Sequence, residues 1–148
     1  MKVGYAYVVA DLFHIGHLKH LQACGSLCDK LIVGVLTDGA TMEKKSKPII
    51  SFGERLEIVK SLKDVSVAVK QEVYSPLPNV EQLQVDILFE STSHDPEAIV
   101  EARKLMKKLN CRVIAMPYYA GQTSTAIKNK ISKKWTFHEE VGGGKHEK

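Results

Sequence analysis

Short apolar runs alternate with helix-spaced segments along this chain, and that alternation restricts the fold more than any other feature of the sequence. Residues 3–10 are apolar apart from two tyrosines, and residues 30–36, 65–69, 86–89 and 111–116 follow as further short, largely apolar runs. Runs of this length without polar alternation read as strands buried on both faces. Between them, apolar residues recur at helical spacing: Leu18, Leu21 and Leu27, then Leu56, Val59 and Leu62, then Ile99, Ala102, Leu105, Met106 and Leu109. Punctuation agrees with the pattern. Ser51 and Glu54 form a capping-box pair, Pro96 stands just inside a helix start, Asn110 can end that helix, and Thr123 can cap a last helix carrying Ile127 and Ile131. Strands in strict alternation with helices predict an α/β fold with a mostly parallel, five-stranded sheet.

Composition narrows the class. At 148 residues, 44% hydrophobic and 26% charged, the chain has the makings of one domain with a real core. The net charge of +4 is shared evenly between the two halves, so no basic block marks a nucleic-acid binder. No stretch approaches the roughly 20 apolar residues needed to span a bilayer, and the first strand pattern begins without a cleavage region. A cytoplasmic protein is expected. Cys24, Cys28 and Cys111 are too few for a disulfide framework, and read as small buried side chains. The domain is expected over residues 1–135. Residues 136–148, with Gly142, Gly143 and Gly144, read as a flexible tail.

In a parallel α/β sheet, ligands bind beyond the carboxyl ends of the strands. The loop after the first strand carries His14-Ile15-Gly16-His17 at the mouth of a helix. Histidines three residues apart can face one ligand, and a glycine between them lets the backbone approach it. A helix N-terminus adds free amides and a field that favours anions. Imidazoles placed there can donate to phosphoryl oxygens as charge builds in a transition state. Surface or capping histidines are the plain alternative. A zinc reading that adds His20 lacks a carboxylate or thiol set to complete it.

Asp11-Leu12-Phe13-His14-Ile15-Gly16-His17 resembles the opening motif of the cytidylyltransferase-like nucleotidyltransferases, closest to the glycerol-3-phosphate and phosphoethanolamine cytidylyltransferase group. The resemblance runs over about residues 3–134. It implies a Rossmann-like domain that joins CTP, or in the alternative ATP, to a small phosphorylated or phosphonate alcohol and releases pyrophosphate. A catalytically weak nucleotide-binding protein is a further alternative. By resemblance, His14 and His17 bind the triphosphate and stabilise the transferring α-phosphoryl group, and Val9, Ala10, Asp11 and Gly16 line the nucleotide. Lys44 and Lys47 of the following lysine loop, and Arg55 at the next helix start, are expected on phosphate. Glu90 is expected near the nucleotide, facing its magnesium or the acceptor, with a plain strand-end carboxylate as the alternative, while His94 reads more readily as a capping or solvent residue. Gly121, Thr123, Ser124 and Thr125 resemble the late nucleotide signature before the final helix. Mg2+ is implied with the triphosphate, with no protein metal cage, and a homodimer is implied as the assembly. Val8, Tyr118 and Gln122 depart from the group, standing where relatives usually carry glycine, arginine and isoleucine.

Overall fold

The computed structural model describes residues 1–91, 96–117 and 123–142. Five strands, β1 (Val3–Val8), β2 (Lys30–Leu36), β3 (Val67–Gln71), β4 (Ile87–Ser91) and β5 (Arg112–Met116), form one all-parallel sheet in the order β3-β2-β1-β4-β5. Helices α1 (Ile15–Gly25), α2 (Asp38–Met42), α3 (Phe52–Lys60), α4 (Leu77–Leu83), α5 (Pro96–Lys108) and α6 (Ser124–Gly142) make up the rest. The expected tail boundary at residue 135 falls inside α6.

Strand alternation sorts the apolar residues into two cores. Ala6, Leu31, Val33, Val35, Ile87 and Phe89 turn to one face, where Leu21 and Cys24 of α1 and Val59 of α3 cover them. Tyr5, Ile32, Leu88 and Val113 turn to the other, under Val80 of α4 and Ala102 and Met106 of α5. Both faces of the central strands are therefore dry, which is why their sequences are apolar without interruption. Gly34 of β2 is required by this packing. A Cβ there would collide with the Tyr5 hydroxyl and approach Gln71 Oε1 to 2.7 Å.

The chain leaves β1 in one direction along the sheet for β2 and β3, and in the other for β4 and β5. β1 is thus the switch point, the place where parallel sheets open a crevice. The register shows the opening. β1 pairs with β2 from Val3 to Val8, but with β4 only through Gly4–Ile87 and Tyr5–Leu88. Beyond Tyr5 the two strands part at their carboxyl ends.

Apart from β2, the strand bounds differ from the sequence reading by one or two residues, and one helix was not expected. β3 lies two residues later than expected, because its last residue is the buried polar Gln71, whose side chain accepts from Tyr5 Oη at 2.5 Å. A short helix, α2, stands where a loop was expected, capped by Thr37 Oγ1, which accepts from Ala40 N at 3.1 Å.

Candidate active site

A cavity of about 570 Å3 opens where β1 and β4 part. That volume falls within the range of roughly 300–1,000 Å3 usual for small-molecule sites. His14, Gly16, His17 and His20 line it from α1, and Thr123, Ser124, Thr125 and Lys128 from the start of α6. Tyr7, Val8, Val9 and Asp11 line it from the end of β1, and Lys45 and Tyr74 from the loops beyond β2 and β3.

The two motif histidines cap their own helix. His14 Nδ1 accepts from Gly16 N at 3.0 Å, and His17 Nδ1 accepts from His14 N at 3.2 Å. The arrangement is the capping box usually built from serine and glutamate, made here from two imidazoles. It also settles their tautomers. An Nδ1 that accepts an amide proton carries none of its own, so each neutral ring holds its proton on Nε2. The rings lie 4.1 Å apart between centroids, and Phe13 stacks on His17 at 5.2 Å. Burial lowers the pKa of both. His17, with His14 and His20 beside it, is brought down to about 4. At neutral pH the pair is uncharged and presents N–H donors, polarised by a helix N-terminus.

Asp11 ties the site together. Its Oδ2 and Oδ1 accept from Ile49 N and Ile50 N, each at 3.0 Å, and Lys128 Nζ stands 3.4 Å from Oδ2. Burial alone would raise this carboxyl, but the two amides and the lysine outweigh it and hold the pKa below the usual carboxylate value. The Asp11 carbonyl accepts from Ser124 Oγ at 2.6 Å, which pins the start of α6 to the first motif. On either side of Asp11, Ala10 and Leu12 adopt left-handed backbone, with φ of 62° and 49°. Such conformations cost non-glycine residues of order 1–3 kcal/mol each and persist where the surroundings hold them.

Several expected contacts fall elsewhere. Arg55 is wholly buried and does not line the cavity. Its Nη1 donates to Val9 O at 2.6 Å and Leu36 O at 2.7 Å, its Nε to Ile50 O at 3.0 Å, and its Nη2 to Asp38 Oδ1 at 2.8 Å. The guanidinium binds strand ends in place of a phosphate. The lysine register also shifts. Lys44 and Lys47 do not line the cavity, and Lys44 Nζ lies 5.3 Å over the Tyr74 ring. Lys45 lines it instead; the residue is exposed overall, yet crowding by protein atoms lowers its pKa by desolvation. Ala10 is buried beneath the turn, away from the lining. Glu90 lies behind Tyr7, whose hydroxyl donates to Glu90 Oε1 at 2.8 Å.

The late signature is only partly available to a ligand. Thr123 Oγ1 accepts from Ala126 N at 2.9 Å as the cap of α6, and Ser124 Oγ is spent on Asp11. Thr125 lines the cavity. Gly121, His94, Tyr118 and Gln122 lie outside the described residues. Lys128 escaped the sequence reading, although its place four residues after Ser124 puts it on the same helical face. Among the described residues, no group of three or more histidine, cysteine or carboxylate side chains could hold a metal ion. No helix among them is long and apolar enough to cross a membrane.

Known proteins resemble this chain. A bifunctional protein HldE from Syntrophotalea carbinolica is 32% identical over 123 residues, covering 82% of this chain and 25% of that protein. The HldE of Trichlorobacter lovleyi is 30% identical over 128 residues, 85% of this chain and 26% of that one. The chain thus spans about a quarter of the length of these curated relatives. Among solved structures, a lipopolysaccharide core biosynthesis protein from Thermoplasma volcanium superposes with a TM-score of 0.70 at 25% identity, over 80% of this chain and 97% of that one. The cytidylyltransferase-like family model matches residues 7–134, from the end of β1 into α6, and so takes in both motif segments that face the cavity. The chain belongs to the cytidylyltransferase-like family of nucleotidyltransferases.

Proposed function

We propose that this chain transfers a nucleotidyl group from a nucleoside triphosphate to the phosphate of a small acceptor. One acceptor oxygen attacks the α-phosphorus, the bond from that phosphorus to the bridging oxygen breaks, and pyrophosphate leaves. No protein nucleophile is needed. The observation that carries the reading is the pair of Nε2–H donors that His14 and His17 hold at one helix mouth, beside the ammonium groups of Lys45 and Lys128. Donors fixed in place before the reaction stabilise charge as it develops on the phosphoryl oxygens. Magnesium enters with the triphosphate. Asp11, the one carboxylate among the described lining residues, is already engaged by two amides and Lys128, so phosphate oxygens and water would supply the ion's ligands.

The likeness to HldE proteins and to a lipopolysaccharide core biosynthesis protein favours a sugar phosphate as acceptor and ATP as donor. The family's own description keeps CTP as the second donor. Pyrophosphate release, measured with each triphosphate against hexose and heptose phosphates, glycerol 3-phosphate and phosphocholine, tests the assignment. Acceptor-dependent release that falls about 100-fold or more in His14→Ala and His17→Ala is the expected result. Release unchanged in both variants would sink it.

A further inference from the structure

Residues 42–47 are all exposed, and Lys45 and Ser46 of this segment line the cavity. A segment with so little buried surface ordinarily moves freely. This one is pinned at both ends by carboxylates that accept backbone amides. Beyond its far end, Asp11 takes the amides of Ile49 and Ile50. At its near end the bond runs the other way, with Glu43 Oε2 of the segment accepting from Tyr74 N at 3.0 Å. Lys44 Nζ lies 5.3 Å from the centroid of the same tyrosine's ring, close enough for a cation–π contact. Tyr74 is itself tied to the core. Its carbonyl accepts from Nε2 of the buried Gln71 at 3.0 Å, and Gln71 is in turn held by Tyr5.

Lys45 follows directly on this clasp. Its amide and that of Lys44 both donate to Thr41 O, at 2.9 and 3.2 Å, so the helical turn that ends α2 continues through residue 45. Successive residues of such a turn point about 100° apart. With Glu43 and Lys44 both engaged on Tyr74, the next side chain faces the cavity. No carboxylate among the described residues pairs with its ammonium, and desolvation by the surrounding protein lowers its pKa. An anion that enters the cavity relieves a cation held in this way.

We infer that Glu43 is a positioning residue: by clasping Tyr74, with Lys44 beside it, it aims the Lys45 ammonium at the phosphates of the bound triphosphate. Only the identity of that anion rests on the nucleotidyl-transfer reading. Glu43 does not line the cavity, so its effect passes through Lys45. A lysine is a point charge on a flexible stem, and fixing the base of the stem before the ligand arrives lowers the ordering cost of binding. The sign of the effect separates a clasp from plain electrostatics. A carboxylate near an anion site repels the anion, so if Glu43 acted by charge alone its removal would tighten binding. Removing a clasp loosens it.

Inorganic tripolyphosphate, titrated into the full chain by calorimetry, supplies the phosphates without a base or an acceptor. Lys45→Ala is expected to weaken its binding about tenfold or more, the loss of a charge-assisted bond. Glu43→Ala is expected to weaken it about fivefold. Glu43→Gln, whose amide oxygen can still accept from Tyr74 N, is expected to stay within about twofold of wild type. In a Lys45→Ala background, Glu43→Ala is expected to add nothing, because the residue it positions is gone. Glu43 is exposed, so neither of its variants opens the core. Unchanged or tighter binding by Glu43→Ala, an equal loss in Glu43→Gln, the same further loss without Lys45, or no binding by wild type would each overturn the inference. Pyrophosphate release keeps the two readings apart. The expected binding pattern without release would reject the transfer reading and leave the clasp standing. Release that depends on His14 and His17, with a Glu43→Ala variant that binds as wild type does, would do the reverse.

Discussion

His17 has its chemistry altered by its surroundings, and the change has a sign that can be measured. Its folded pKa of about 4 lies below the value of about 6.5 that it has in an unfolded chain. Between those values the unfolded chain binds the extra proton and the folded chain refuses it. Stability is therefore fully present above pH 6.5 and drains away as the pH falls towards 4, by about 1–3 kcal/mol. Urea unfolding at pH 7.5 and pH 5 should show the loss, and His17→Asn should flatten it. The same residues mark the limit of what the sequence discloses. His14 and His17 are legible as a pair at a helix mouth. Their mutual capping, which fixes both tautomers, depends on two backbone amides that no residue pattern spells out. Arg55 misled for a related reason. A lone arginine at a helix start looks like a phosphate ligand until the strand ends around it are seen.

At the scale of elements, Arg55 joins the ends of β1 and β2 to the start of α3. A buried acceptor that loses its donor typically costs about 1–3 kcal/mol. Arg55→Met should therefore lower the denaturation midpoint sharply, through carbonyls of Val9, Leu36 and Ile50 left without their donor. Arg55→Lys should recover only part of it, because an ammonium cannot reach the four partners that the planar group spans. The α6 junction is held by smaller forces. Thr123→Ala removes a cap worth about 1 kcal/mol. It should raise the KM for the triphosphate more than it lowers kcat, since the helix start that lines the cavity loosens. Steady-state kinetics separate the two. The elements themselves were largely legible, because the central strands are dry on both faces and the helices turn apolar residues to the sheet. The lysine register was not, since residues 44, 45 and 47 are chemically alike and only the turn after α2 decides which one faces the cavity.

Across the whole molecule, Gly34 shows how closely β1, β2, β3 and α4 depend on one another. It leaves room on β2 for the Tyr5 hydroxyl to meet Gln71 and for Asn79 Nδ2 to donate to that hydroxyl at 2.9 Å. Gly34→Ala should destabilise by about 1–3 kcal/mol, the usual range for overpacking. Tyr5→Phe in the same chain should return part of that by removing the colliding oxygen, a coupling that a double-mutant cycle in urea would read. The strand order belongs to this scale too, and alternation alone could not supply it. Several orders satisfy five parallel strands, and only the contacts of β1 with both β2 and β4 select this one.

Because β1 lies at the centre of the sheet but comes first in the chain, its two edges are satisfied at very different moments of synthesis. Its β2 side can close once Lys30–Leu36 has emerged, while its β4 side waits for Ile87–Ser91. In that interval a nascent chain carries an apolar strand with an open hydrogen-bonding edge, the surface by which unfinished chains stick to one another. A fragment that stops before β4 should accordingly be recovered in the insoluble fraction, whereas one that reaches past β5 should not.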